Sequence, residues 1–207
     1  MLSSILLHID KHKPDEGGIV VQVRVRSEGT VEETLGIPKG TILTRMASIG
    51  DVEQITEIYN EGILDRLATL ESNPKTVEEM QGWFSGRNER YKVIVAEDGK
   101  GKIIGWASLN VFNVRESYQG VSDLSIYIRR EERGKGLGKQ LLAALIEIAK
   151  QVGFHKLVLN TFALNVAGQR LYESLGFTKV GTYMKQGMLD GKWIDMTIME
   201  KLLLDNA

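Results

Sequence analysis

The 207-residue sequence contains no cysteine, only three prolines and almost no net charge, since 26 Lys and Arg residues stand against 27 Asp and Glu residues. Without cysteine there is no disulfide framework, no zinc–thiolate site and no cysteine nucleophile. A formal charge of −1 argues against a nucleic-acid or membrane-surface partner, unless charge is concentrated locally. The apolar start is short and soon followed by charged residues, unlike a signal sequence or a membrane span. We therefore expect a protein of the cytoplasm.

Glycine is the residue in excess, with 22 copies, above the usual share of about 7%. The length and the 43% hydrophobic content predict one domain of about 150 residues with an appendage. Residues 1–40 form the predicted appendage. Apolar residues alternate over 19–26, a turn follows at 27–30, and 31–37 can return as a second strand. We predict a β-hairpin arm that leans on the main domain, residues 41–207, or on a second subunit.

The main domain mixes helical and strand patterns, and two capping boxes mark its first helices. These are Ser48-x-x-Asp51 and Thr76-x-x-Glu79. The turn at 98–101 joins two β-rich runs into a hairpin. A strand–helix–strand–helix–strand order then follows, which predicts an α+β fold with one βαβ crossover. The predicted strands cover 41–46, 91–97, 102–110, 121–128, 156–162 and 193–201.

Three glycines cluster where the strand over 121–128 leads into a helix. Gly134, Gly136 and Gly138 leave the backbone open to a ligand, and the helix start favours an anion. Residues 129–139 also contain five basic residues against two acidic ones. This local positive charge suits a pyrophosphate. Three interpretations compete: a Walker A loop, a Rossmann dinucleotide-binding turn and a flexible, glycine-rich connector. The spacing G-x-G-x-G matches neither the Walker A pattern nor the Rossmann pattern.

Two motifs resemble those of the GCN5-related N-acetyltransferases (GNAT). The stretch Arg133-Gly134-Lys135-Gly136-Leu137-Gly138 resembles the family's acyl-CoA signature, and residues 165–177 resemble its second signature, an Asn-capped helix closed by Gly-Phe. Further stretches, among them residues 58–60, 74–76 and 191–195, resemble the phosphinothricin/arsinothricin acetyltransferase subgroup. The resemblance covers residues 42 to about 202. It implies a mixed, mostly antiparallel sheet flanked by helices, acetyl-CoA as co-substrate and a homodimer.

The resemblance also implies a catalytic pair. Asp123 stands where the family places an acidic base, and Tyr172 stands near the departing sulfur. An ordinary Asp has a pKa of about 3.9, so the role requires burial or a neighbouring anion to raise it. Each residue also has a structural interpretation: Asp123 can pair with a cation or cap a backbone group, and Tyr172 can simply pack against the core.

The remaining site residues follow from the same resemblance. The acetyl-CoA contacts are assigned to Ile126, Tyr127, Ile128, Arg133, Gly134, Lys135, Gly136, Leu137, Gly138, Lys139 and Asn165. The candidate acceptor-binding residues are Glu71, Arg115, Tyr118, Trp193 and Asp195. No metal is expected, because His8-x-Asp10-x-His12 is more typical of a solvated terminus.

The expected activity is acetyl transfer to the amine of a small amino-acid-like molecule, with phosphinothricin, arsinothricin and methionine sulfoximine as model acceptors. A peptide or protein amine acetyltransferase is a second possibility on the same scaffold. A binding domain that senses acyl-CoA without turnover is a third. The presence of both Asp123 and Tyr172 argues against the third.

Overall fold

The computed structural model describes Val23–Arg24 and residues 42–203. These residues form eight strands and four α-helices. The strands are β1 (Val23–Arg24), β2 (Leu43–Met46), β3 (Val93–Glu97), β4 (Ile103–Val111), β5 (Val121–Ile128), β6 (Lys156–Phe162), β7 (Thr178–Leu189) and β8 (Lys192–Leu202). The helices are α1 (Val52–Leu64), α2 (Val77–Ser85), α3 (Leu137–Gln151) and α4 (Val166–Glu173).

The strands form one sheet in the order β1-β2-β3-β4-β5-β6-β8-β7. Neighbours are antiparallel except for two parallel pairs, β1–β2 and β5–β6. The predicted α+β class with a mostly antiparallel sheet is thus confirmed, and β5-α3-β6 is the predicted crossover. Of the predicted arm, only Val23 and Arg24 fall within the described residues, where they pair with β2. The predicted return strand lies outside them.

Helices cover both faces of the sheet, because apolar side chains point to both sides of its central strands. On one face, α3 and α4 pack against a large buried cluster that includes Leu109, Leu124 and Leu159. On the other face, α1 and α2 pack against a smaller cluster around Val95 and Trp106. The central strands therefore hold helices on both sides.

Strand β7 is the element that the sequence analysis missed. It is twelve residues long, lies at the sheet edge and pairs with β8. Nearly all of its side chains are exposed or half-buried, so it lacks the apolar alternation that indicates a strand. It also contains an irregularity between Tyr183 and Gly187. There, the Lys185 N–H donates to Oδ1 of Asp195 at 2.7 Å.

Candidate active site

A gap opens in the sheet immediately after Asp123. The parallel strands β5 and β6 pair over only three residues, ending with Asp123 opposite Val158. Strand β5 continues to Ile128 while still paired with β4 on its other side. In the described part of the chain, the backbone edge of residues 124–128 that faces β6 therefore has no strand partner. This edge can accept an extended ligand with amide groups, and Asp123 lies at its apex.

The glycine turn presents its backbone N–H groups to one end of this gap. Gly134 and Gly136 have φ of +77° and +84°, a conformation that side chains disfavour. Among the hydrogen bonds of the described residues, none is donated by the backbone N–H of residues 134–138. A Cβ at Gly134 or Gly136 would enter open space. These features fit the pyrophosphate of a coenzyme.

Gly138 has a different role from the other two glycines. A Cβ there would lie 3.0 Å from Cδ2 of Leu171. Its lack of a side chain therefore allows the start of α3 to approach α4 closely, rather than opening the cradle to a ligand.

The positive charge expected around the turn is mostly neutralised, which corrects the sequence analysis. Helix α1 carries acidic residues four positions apart, and these face the turn as one row. Arg129 pairs with Glu57 at 3.0 Å and lies 3.5 Å from Glu61. Arg130 and Arg133 both pair with Asp65, and Lys135 pairs with Glu132. The free N–H groups and Lys139, which forms no ion pair among the described residues, are thus the unengaged anion donors of the turn.

A cavity of about 740 Å³ lies on the α1 and α2 side of the sheet. Asp123, Ser125 and Tyr127 alternate along β5, so they share one face, and all three line the cavity. Side chains from α1, α2, β4 and the segments next to α2 form the remaining walls. The cavity therefore meets the sheet at the residue where the gap begins.

Burial makes Asp123 a usable base. It raises the pKa of the carboxyl from 3.8 to about 6, against the opposing effects of the nearby Asn110 amide and the Leu124 backbone N–H. A group with this pKa is mostly ionised at neutral pH, yet it is basic enough to take a proton from an amine. No ion pair of Asp123 is found among the described residues, which weakens the interpretation of it as a structural partner of a cation.

Arg87 is a cavity residue that the sequence analysis missed. Its Nε donates to the carbonyl of Tyr91 at 3.0 Å, and its Nη2 donates to the carbonyl of Leu109 and to Oδ1 of Asn110. Burial lowers its pKa to about 10. Within residues 42–203, no carboxylate pairs with it and its Nη1 donates no hydrogen bond. The site thus contains a half-buried cation with free donors for an anionic group.

Aromatic rings form the walls between these charged groups. The Trp106 ring stacks on Tyr127 with centroids 5.0 Å apart, and Tyr59 meets Tyr127 edge-on at 4.9 Å. Trp83 meets Trp106 at 5.7 Å and carries the Arg87 guanidinium at 4.4 Å from its ring centroid. Burial raises the pKa of both tyrosines, so they remain neutral. These walls suit the apolar body of a small substrate.

Tyr172 and Asn165 lie in the motif that follows the gap. Tyr172 is buried against Phe177, with ring centroids 5.8 Å apart. Burial and the charge of Asp123 raise its pKa, so its hydroxyl keeps its proton at neutral pH. Asn165 caps α4: Oδ1 accepts from the Gly168 N–H and Nδ2 donates to Thr161, each at 3.0 Å. Its predicted contact with the coenzyme remains a prediction.

Of the predicted acceptor-binding residues, Glu71 lines the cavity and pairs there with Lys75 at 2.8 Å. Arg115 and Tyr118 lie at a short 3₁₀ turn after β4, and Trp193 and Asp195 lie on β8. None of these four lines the cavity. The sequence analysis could not separate them because each is a polar or aromatic residue near a predicted strand end.

Within the described ranges, no group of three or more His, Cys, Asp or Glu side chains is placed to hold a metal ion. No helix among those residues has the length and apolar character needed to cross a membrane.

The gap in the sheet after Asp123 and the glycine turn with free N–H groups fit the acyl-CoA site that the resemblance to N-acetyltransferases implies. Residues 53–177 match the family model described as the acetyltransferase (GNAT) family. The chain belongs to this family.

Within this family, the chain is similar to acetyltransferases of amino-acid-like molecules. The chain is 36% identical over 157 residues to an L-methionine sulfoximine/L-methionine sulfone acetyltransferase of Pseudomonas aeruginosa, covering 75% of this chain and 91% of the relative. It is 31% identical over 157 residues to the L-amino acid N-acyltransferase MnaT of Escherichia coli, with the same coverage. A GNAT superfamily phosphinothricin acetyltransferase from Sinorhizobium meliloti, solved in complex with acetyl-CoA, is 33% identical. It has a TM-score of 0.74, with 78% of this chain and 88% of that chain covered.

Proposed function

We propose that the protein transfers an acetyl group from acetyl-CoA to the α-amine of a small, free amino-acid-like molecule. The observation that supports this proposal most directly is that one cavity contains both a base and a cation. The base, Asp123, lies where the gap begins, and the cation, Arg87, has free hydrogen-bond donors. The names of the relatives, which specify methionine sulfoximine, methionine sulfone and phosphinothricin as acceptors, support the same class.

The coenzyme would lie along β5 and the glycine turn. The free edge of β5 at Ile126 and Ile128 would pair with the amide groups of the pantetheine arm. The N–H groups of residues 134–138 would hold the pyrophosphate. Bound acetyl-CoA supplies the thioester carbonyl, which the amine attacks as the C–N bond forms and the C–S bond breaks.

The protein would move one proton and stabilise one leaving group. Asp123 accepts the proton of the attacking amine, directly or through a water molecule. Tyr172 keeps its own proton, because burial raises its pKa above the value of about 8.5 for a thiol, and it donates a hydrogen bond to the departing thiolate. A thiolate leaves readily by itself, so the contribution of Tyr172 is the smaller one.

The α-amine is the acceptor that best suits this base. The α-amine of a peptide, with a pKa of about 8, is roughly one-tenth neutral at pH 7, whereas a lysine amine with a pKa of about 10.4 is neutral in fewer than about one molecule in a thousand. The amine of a free amino acid lies between the two, because its own carboxylate stabilises the ammonium form. A weak base such as Asp123, with a pKa of about 6, therefore deprotonates an α-amine more readily than a lysine amine. Peptide amines are included in the test panel because they share this property at their N-termini.

Arg87 would bind the carboxylate of the acceptor. Replacing it with methionine keeps the packing on Trp83 but removes the charge, so we expect KM for methionine sulfone to rise about 10- to 100-fold, the size of a lost charge-assisted hydrogen bond. KM for acetyl-CoA stays within about twofold. Steady-state kinetics with either substrate varied measure both values.

The matched control is Arg170→Met on the exposed surface of α4, for which neither KM changes. An unchanged KM for the amino acid in Arg87→Met contradicts the assignment.

The chain would also form a homodimer, as the family resemblance implies. Strand β7 lies at the sheet edge, and its exposed Tyr183, Met184 and Met188 support a contact there. Light scattering on the purified protein is expected to give the mass of two chains, and the mass of a single chain at micromolar concentration contradicts this proposal.

A further inference from the structure

Asn110 joins the two charged groups of the cavity. It lies near the end of β4, directly opposite Asp123 in the register of the antiparallel pair β4–β5. Its side chain lines the same cavity. No motif in the sequence singled it out, because a lone Asn in a strand has no characteristic spacing.

The amide of Asn110 is held in one orientation. Its Oδ1 accepts hydrogen bonds from Oγ of Ser108 at 3.0 Å and from Nη2 of Arg87 at 3.3 Å. Its Nδ2 donates to Oγ of Ser125 at 3.1 Å. A flipped amide would turn N–H groups toward the guanidinium of Arg87, which has only donors. The N–H groups are therefore held on the β5 side, where Asp123 lies.

This arrangement matches the geometry of one substrate class. In an α-amino acid, the carboxylate and the amine are attached to the same carbon atom. An enzyme that binds the carboxylate and deprotonates the amine therefore needs its cation and its base close together. Here Arg87 donates to Asn110, and Asn110 is the cross-strand partner of Asp123, so a single residue lies between the cation and the base.

We propose that Asn110 is a positioning residue that sets the spacing between Arg87 and Asp123, and thereby selects free α-amino acids over amines without a neighbouring carboxylate. The proposal rests on the proposed acetyltransferase function. It assigns the choice between acceptors to a neutral side chain that takes no proton and gives none.

A neutral amide can do this without cancelling the basicity of Asp123. The titratable groups around the carboxyl are Tyr127 on β5, Tyr172 on α4, Tyr59 on α1, and Arg87 after α2, with the Glu71–Lys75 ion pair and the α2 residue Glu79 on the cavity wall. The facing residue on β6 is Val158. The tyrosines have raised pKa values and stay neutral, so Asp123 is the group expected to set the acid limb of the activity profile. The Asn110 amide lowers the pKa of Asp123, so removing it moves that limb to higher pH.

The test compares three acceptors in the wild-type protein and in Asn110→Ala: methionine sulfone, its methyl ester, and 3-(methylsulfonyl)propan-1-amine, which lacks the carboxylate. The wild type is expected to prefer methionine sulfone to the simple amine by at least about 100-fold in kcat/KM. In Asn110→Ala this preference falls at least about tenfold, and the acid limb of kcat/KM rises by roughly half a pH unit or more. The Kd for acetyl-CoA, measured by calorimetry, stays within about twofold.

Two further variants keep the result unambiguous. Asn113→Ala changes an exposed turn residue whose Oδ1 caps the Arg115 N–H, and it is expected to keep both the preference and the pH profile. Asn110→Ser retains a small polar group, and is expected to show the same two changes in smaller size if the alanine variant does not fold.

If folded Asn110→Ala keeps the wild-type preference for methionine sulfone and its acid limb stays at the wild-type pH, the inference is overturned, while the acetyltransferase function stays intact. Absence of turnover with every free amino acid in the wild type overturns the proposed function itself, and this inference with it.

Discussion

Replacing Asp123 with asparagine is expected to lower kcat/KM for amine acetylation by about 10² to 10⁴, the range over which general-base catalysis contributes. Asparagine fills the same volume at the apex of the gap but cannot accept the proton. The Kd for acetyl-CoA is expected to change little, because the free edge of β5 and the glycine turn are unaltered. Thiol release with methionine sulfone as acceptor measures the rate. The control is Asp98→Asn in the hairpin turn, whose Oδ1 accepts from two backbone N–H groups.

The pH dependence gives this prediction a second measurement. In the wild type, kcat/KM is expected to rise with pH through about 6, as the Asp123 carboxyl, whose pKa burial raises, loses its proton. The variant has no such group, so its residual activity lacks that acid limb. An Asp123→Asn variant that retains both the wild-type rate and the wild-type acid limb contradicts the assignment of Asp123 as base.

The same raised pKa has a consequence for stability. A carboxyl with a folded-state pKa of about 6 and an unfolded-state pKa of 3.8 favours folding when protonated, and that contribution is lost as the pH rises through 6. Asp123→Asn is therefore expected to unfold with a higher free energy than the wild type at pH 7.5, by at most about 3 kcal/mol for a shift of this size. The two proteins converge below pH 4. Urea denaturation at the two pH values measures the difference.

Gly136→Val is expected to weaken acetyl-CoA binding at least about 100-fold. Gly136 has φ of +84° and caps α3, and its N–H is one of the consecutive free donors of the turn. A branched side chain disfavours this backbone conformation and fills the open space in which the pyrophosphate would lie. Calorimetric titration with acetyl-CoA measures the affinity.

A matched glycine separates the effect of strain from the effect on the ligand. Gly191 has φ of +75° in the β7–β8 turn, and a Cβ there also meets no atom within 4 Å. Gly191→Val therefore carries a similar backbone strain of about 1–3 kcal/mol away from the cradle. We expect it to lose stability but keep its affinity for acetyl-CoA. Retained affinity in Gly136→Val would mean that the coenzyme lies elsewhere.

The part of the fold that the sequence predicted well has strong local signals. Strands β5 and β6 begin and end where predicted, over 121–128 and 156–162. Thr76 caps α2 through the predicted box with Glu79. Each of these elements is defined by its own periodicity or capping residues. Strand β7 has neither, since its side chains are exposed and its position depends on pairing with β8.

The candidate site likewise contains features that the sequence could predict and features that it could not. Gly134 and Gly136 could be predicted, because a motif fixes their spacing, and the resemblance pointed to Asp123. The contact between Arg87 and Asn110 could not be predicted, since it forms only when the segment after α2 lies against the end of β4. The charge of the turn was also misjudged from sequence, because its neutralising carboxylates come from α1, about 70 residues earlier.

The central claim is that this chain acetylates the α-amine of a free amino acid, with Asp123 as its base. The direct measurement is mass spectrometry of products after incubation with acetyl-CoA and an equimolar mixture of phosphinothricin, arsinothricin, methionine sulfoximine, methionine sulfone and short peptides. We predict an N-acetylated free amino acid as the main product of the wild type, and its near absence with Asp123→Asn. Acetylation of the peptides alone, or tight binding of acetyl-CoA without any product, would contradict the account.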